Sequence, residues 1–362
     1  MPGKTARSSN LELLRILCML LIIGDHLTGQ GGIADYTTLP SSFAFCLIGC
    51  GSRIACSVFI LIGGWFLCEQ QYKTRRPLSL WLSLWLYTVP VTLLCRLGGL
   101  DVSLGALRWA LFPASTRQLW FISDYLLLLL CVPLLNRLLH GLPRAAHRGV
   151  LAVLAVPLLV YPTLFAENGL TGDTAWMFLY EYLLIAYLHR YPDNRLTRLL
   201  QRRCAALLLG LGLPLVNTAV RAVLEMRGLT DGKAFQYIAY YRTALGALPN
   251  LLAALALFYL FKGLSLGSVR WINALSGTTL GVYILHQIPA FRGFLWNGIL
   301  QAQAHHGSVG YTLFAVAAVF LGCAVVDAAR TALVMRPLEK TKLFRTLCEK
   351  GDALAAKITA DD

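Results

Sequence analysis

The stretch Ser9-Asn10-Leu11-Glu12-Leu13-Leu14-Arg15-Ile16-Leu17-Cys18-Met19-Leu20-Leu21-Ile22-Ile23-Gly24-Asp25-His26-Leu27-Thr28 decides what kind of protein this is. A helix over residues 11 to 28 rises about 27 Å, close to the roughly 30 Å of a bilayer's hydrocarbon core. Similar runs recur outward from it, near residues 42 to 68, 78 to 97, 119 to 139, 150 to 166, 175 to 190, 204 to 221, 244 to 262, 273 to 291 and 309 to 334. With the first, they predict an all-α, polytopic membrane protein of about ten transmembrane helices. The whole chain agrees: of 362 residues 57% are hydrophobic and only 14% charged, and the mean hydropathy is +0.62. A soluble chain this apolar could not cover its surface with polar groups, and the composition excludes disordered, collagen-like and disulfide-scaffold classes.

The charges supply an orientation. Placing both termini in the cytoplasm gathers Lys4, Arg7, Arg15, Lys73, Arg75, Arg76, Arg137, Arg144, Arg148, Arg190, Arg195, Arg198, Arg202, Arg203, Lys262, Arg270 and seven tail residues from Arg330 to Lys357 on one side, 23 of the 32 Lys and Arg. The loops holding Asp35 and Glu167 contain none. That asymmetry is what membrane insertion produces. It also accounts for the net charge of +14 through anionic headgroups, so no nucleic-acid partner is required. Residues 1–336 read as one membrane domain and 337–362 as a short cytoplasmic tail with little chemistry of its own. Gly49, Gly51, Gly63 and Gly64 in the second run predict a break or an interfacial approach before Arg53, whereas residues 273 to 291 read as one helix.

The ten cysteines lie mostly within apolar runs, without a C-x-x-C pair or histidines at zinc-finger spacing, and read as small apolar packing residues. Neither a disulfide framework nor a metal is implied. Lys4 and Arg7 ahead of an apolar stretch look superficially like a signal peptide, but Asp25-His26 interrupts it and no small-residue cleavage site follows. Walker A, G-x-G-x-x-G, G-x-S-x-G and H-E-x-x-H motifs are absent from the sequence.

Ionisable residues inside the runs are the candidates for chemistry. Ser9-x-x-Glu12 fits a capping box, and Arg15 shares the face of Glu12 and can snorkel to headgroups. His26 lies eleven residues beyond Arg15, on the same face within about 20° and some 16 Å deeper. It is either a packed histidine or a general base facing a cavity with Arg15 at its mouth, since imidazole takes a proton near neutral pH. His286, reached at a similar depth in the ninth run, shares a face with Tyr283, and Gly281 permits close approach of another helix. The pair can equally be structural. Asp124 sits inside the fourth run beside Trp120 and Tyr125, which an aromatic belt explains. Lys73-x-Arg75-Arg76 satisfies topology, and a basic cluster at a cavity mouth also holds phosphates.

These blocks resemble the integral-membrane acyltransferase 3 family. Asn10-x-Glu12-Leu13-Leu14-Arg15 with His26 is similar to the family's acidic-x-x-Arg opening and Arg-x10-His motif. Phe59 to Leu67 is similar to its second-span block, Leu119-Trp120-Phe121 with Pro133 to its LWF…P block, and Gly281-Val282-Tyr283-Ile284-Leu285-His286 to its GxYxxH block. Gly63 stands where the family often has Ser, and Gln118 where many members have His. The resemblance implies a multi-pass protein of the bacterial plasma membrane that moves an acyl group, acetyl above all, from cytoplasmic acyl-CoA to a hydroxyl of a cell-envelope glycan or related small molecule. It implies no permanently bound cofactor. His26 and Arg15 become the expected catalytic pair, supported by Glu12, Asp124, Tyr283 and His286, with Arg15, Lys73, Arg75 and Arg76 on the CoA phosphates. A transporter or flippase of a lipid-linked sugar, and a partner-binding membrane subunit, are the competing readings.

Overall fold

A computed structural model describes residues 9–172 and 174–360, so the topology signals Lys4 and Arg7 lie outside the described residues. Every element among them is helical. In order these are α1 (Ser9–Gly31), α2 (Leu39–Leu67), α3 (Arg75–Leu97), α4 (Leu104–Leu111), α5 (Trp120–Gly141), α6 (Arg144–Phe165), α7 (Thr174–Arg190), α8 (Arg195–Leu200), α9 (Arg203–Met226), α10 (Lys233–Thr243), α11 (Leu248–Lys262), α12 (Arg270–Ser276) and α13 (Thr279–Gln287). They are followed by α14, which starts at Pro289 and runs on as wide π-turns to Ile299, then α15 (Val309–Glu339) and α16 (Lys342–Thr359).

Six helices are long and apolar enough to cross a bilayer: α2, α3, α5, α6, α9 and α15. Each of the other four predicted runs is helical but departs from a plain span for a local reason. Helix α1 carries Glu12, Arg15 and Asp25. Helix α7 has 17 residues and α11 has 15. The ninth run is broken.

That break corrects the reading of 273 to 291 as one helix. Helix α12 ends at Ser276, Gly277 and Thr278 turn the chain, and α13 ends at Gln287 before Pro289. Proline brings no N–H for the helical ladder and crowds the turn before it. The second run is corrected in the opposite sense: α2 continues unbroken for 29 residues through all four of its glycines. There the glycines serve packing. A Cβ at Gly51 would stand 2.8 Å from Leu21, and one at Gly64 would stand 2.6 Å from Ile185. The lost side chains therefore bring α1 and α7 against α2, and burial of the resulting interfaces offsets glycine's poor helix propensity. Seven of the ten cysteines are buried, in line with a packing role.

Helices α1 and α2 pack antiparallel, with Gly24 against Ile48 and Gly51 against Leu21. Helices α12 and α13 run parallel to α1, because Asn273 meets Ser9 and His286 meets His26. The core between them is apolar and includes Ile23, Leu27, Ile60, Leu61, Phe178 and Trp296, each fully buried. Helix α15 closes this side where Gly281 lacks a side chain. Asp327 occupies the space, accepting from the Tyr87 hydroxyl at 2.7 Å and from Arg330 at 2.9 Å.

The tail does more than trail. Asp352 of α16 accepts from the Thr74 N–H at 2.6 Å, Glu339 pairs with Arg75 at 2.6 Å, and Arg137 donates to the Ile358 carbonyl at 3.1 Å. Helix α16 is thereby folded back over the α2–α3 loop.

Candidate active site

Two parallel segments, α1 and α12–α13, face each other along a polar seam. At the Ser9 end, the Ser9 hydroxyl donates to Asn273 at 2.9 Å and the Asn10 amide donates to the Leu264 carbonyl at 2.8 Å. Glu12, 5% exposed, accepts from the Ser276 hydroxyl and pairs with Arg15 at 3.2 Å. The capping-box residues thus tie α1 to α12. At the Gly31 end, Gln30 and Gln287 exchange amide hydrogen bonds of 3.1 Å, and the buried Trp296 indole donates to Gln30 at 3.2 Å.

Between these ends the seam opens into a cavity of about 230 Å³. Arg15, Met19 and Ile22 of α1 line one wall, Ser276, Gly277, Leu280 and Tyr283 the facing wall, and Phe59, Phe121 and Tyr125 the side. The spacing 15, 19, 22 and 26 is one helical face, so the cavity follows that face toward His26. The broken ninth run supplies room: Gly277 lies in its wall, where an unbroken helix would carry on.

The cavity stops at Tyr283, whose ring centroid is 6.3 Å from that of His26. Beyond it, His26 Nδ1 is 2.9 Å from His286 Nε2, and His286 Nδ1 is 2.6 Å from the Val282 carbonyl. A carbonyl only accepts, so His286 Nδ1 carries a proton. In the neutral ring its Nε2 is then a lone pair, which accepts from His26 Nδ1–H. By elimination, His26 Nε2 holds the open lone pair.

His26, His286 and Tyr283 are therefore brought together; of them Tyr283 lines the cavity, and Arg15, paired with Glu12, lines it as well. Asp124 is not with them. It pairs with Arg117 at 2.9 Å and accepts from Thr174, beside a separate apolar cavity of about 320 Å³ between α5 and α7. Lys73, Arg75 and Arg76 do not line the Arg15 cavity either. Arg76 donates to Gln70, while Lys73 and Arg75 line a groove of about 640 Å³ in which Arg336, Lys340 and Arg345 stand beside Glu339, Glu349 and Asp352. Being beyond the Leu67 end of α2, this groove shares the Ser9 end of the bundle.

Sequence reading missed four features. Gln30, Gln287 and Trp296 cap the histidines, and only the contact of distant runs reveals them. Arg53 places its guanidinium 5.2 Å over the Trp120 ring. Glu181 is fully buried, with the Ser57 hydroxyl beside its carboxyl group. Cys68, Glu69 and His189 bring ligand-type atoms within 4.8 Å of one another, but Arg190 stands 3.9 Å from Glu69 and Lys262 lies over the adjoining Trp65, so the cluster is already met by cations.

The profile described as an acyltransferase domain, acyltransferase 3, matches residues 8–328. The chain belongs to the acyltransferase 3 family. It is accordingly a membrane acyltransferase, with the helices of a multi-pass protein. No curated protein and no solved structure matches it.

Proposed function

We infer that this membrane acyltransferase transfers an acyl group, acetyl in the simplest case, from acyl-CoA to a hydroxyl of a cell-envelope glycan or related acceptor. The observation that carries this reading is the His26–His286 pair at the end of a cavity that begins at Arg15. A thioester is already activated, so the protein must align the two substrates and remove one proton. His26 Nε2 takes the proton of the acceptor hydroxyl as its oxygen attacks the thioester carbonyl carbon. The C–S bond then breaks, and the CoA thiolate leaves with the proton returned by the His26 imidazolium. His286 holds the His26 tautomer that makes this possible and accepts from Nδ1–H throughout.

In this reading the Ser9 end is cytoplasmic and ten segments cross the membrane, which puts both termini on that side in the plasma membrane of a bacterium. The parallel course of α1 and α12–α13 supports it, since first and ninth spans must run the same way. Arg15 guides the donor into the cavity after Glu12 is displaced. Lys73 and Arg75 offer the CoA phosphates charge-assisted bonds in the groove below. No metal and no resident cofactor enter the scheme.

The test is to incubate the protein in vesicles with acetyl-CoA and a panel of sugars. Ester formation by mass spectrometry should be matched mole for mole by free CoA thiol. Transport of a labelled sugar with no thiol release would overturn the reading in favour of a transporter.

A further inference from the structure

Among the described residues, the buried and half-buried arginines other than Arg53 each meet an acceptor. Arg15 pairs with Glu12, Arg221 with Glu225 and Arg330 with Asp327, while Arg190 donates to the Leu139 carbonyl and Arg76 to Gln70. Arg53 is half-buried near the middle of α2, yet its guanidinium has no carboxylate or carbonyl acceptor among the described residues. A cation inside a membrane protein is costly and is kept where it faces a cavity, a pathway or a partner. Five N–H donors with nothing to accept them are an unspent binding capacity.

Its position ties that capacity to the histidine pair. The guanidinium lies on Trp120, the next residue Phe121 is 5.7 Å from Tyr283, and Tyr283 is 6.3 Å from His26. The approach comes from the Gly31 end. Phe121 and Ile122 line the cavity beside Met19 and Ile22, so α5 starts only halfway along α1. Helix α7 starts there too, since its first residue, Thr174, bonds Asp124 one turn into α5. Toward the Gly31 end the chain before both helices runs as loops and short turns. Phe121 and Tyr283 line the donor cavity, and Arg53 does not.

We propose that Arg53 receives a negatively charged group of the hydroxyl acceptor, so that the protein acylates an anionic sugar or related anionic alcohol in preference to its neutral counterpart. The guanidinium binds the anion through paired N–H donors, Trp120 supports the guanidinium from below, and the exposed Arg292 adds attraction at the approach. The acceptor is thereby turned with a hydroxyl toward His26. This deepens the acyl-transfer reading and rests on it for the role of the bound molecule.

Binding is measured on the full-length protein in uncharged phosphatidylcholine nanodiscs by titration calorimetry, with methyl glucuronide, methyl glucoside and glucose 6-phosphate as probes. The wild type should bind glucuronide or glucose 6-phosphate at least about tenfold tighter than the neutral glucoside, as expected of a charge-assisted hydrogen-bonded contact. Which anion leads tells a carboxylate acceptor from a phosphate one. Arg53→Gln should reduce the ratio to about one and Arg53→Lys should keep part of it. Salt added to the wild type should lower the ratio as well, an arm that decides the matter even if the Gln variant does not fold. Equal affinities in the wild type, a charge preference that survives Arg53→Gln, or a loss of CoA affinity as large as the loss of glucuronide affinity would each overturn the proposal. Absence of acyl transfer to any probe would count against the transferase reading, while the affinities would still decide the anion site.

Discussion

The two ends of the cavity are built by the same pair of segments and differ in what their polar groups have left to give. At the Ser9 end, Glu12 already has Arg15 and the Ser276 hydroxyl. At the other end, two neutral imidazoles are chained to a backbone carbonyl, and the chain finishes on an open nitrogen of His26. The first end closes its charges on itself and joins helices. The second sets an ordered lone pair beyond Tyr283, where the cavity stops. Polarity within a membrane is thus not by itself a mark of chemistry; an oriented, unspent valence is.

The comparison breaks most visibly at His26. His26→Ala should cut transfer by about 10²- to 10⁴-fold, the range of a positioned general base, with CoA affinity unchanged. A folded His26→Ala protein working at the wild-type rate would place the two ends on a par. His286→Ala should lower kcat by on the order of 10- to 100-fold, as loss of a group that orients a working histidine does. His286→Gln should recover part of that, because its amide oxygen can still accept from Nδ1–H. Recovery read in kcat with KM constant would separate orientation from substrate binding.

At the other end the expected effect is smaller and of a different kind. Arg15→Ala should raise the KM for acetyl-CoA by roughly tenfold, the value of a charge-assisted bond, with Arg15→Lys in between. A fall in kcat at constant KM would move Arg15 into the chemistry. Smallest in activity is Gly281→Ala, since the new methyl would run into Asp327. It should destabilise the protein by about 1 to 3 kcal/mol through overpacking. Its thermal unfolding in detergent should shift down while the residual folded enzyme keeps its KM values.

Much of this was readable in the chain. All ten apolar runs are largely helical, and the six long enough to cross a bilayer satisfy their own N–H and C=O groups within the helix. The eleven-residue spacing of Arg15 and His26 put both on the face that lines the cavity, and Gly281 announced the approach of α15. Other features were misread for a common reason. Glycines in α2 and Gly277 in the ninth run are the same residue type, and whether a glycine bends a helix or admits a neighbour depends on what stands opposite it. Asp124 reads in the sequence as a lone carboxylate within a span, and Arg117 and Thr174 come to it only in the fold. The tail seemed inert until Asp352 and Glu339 were seen holding the α2–α3 loop.

By itself the sequence determined that the chain is helical and membrane-embedded, which side chains share a helix face, and to which family the blocks point. These properties depend on composition and on the 3.6-residue period, and both are local. Only the tertiary structure decided that His26 meets His286, that Arg15 is closed by Glu12, and that Arg53 lies over Trp120. Such facts depend on contacts between residues hundreds of positions apart, and no local period records what another helix brings to the interface.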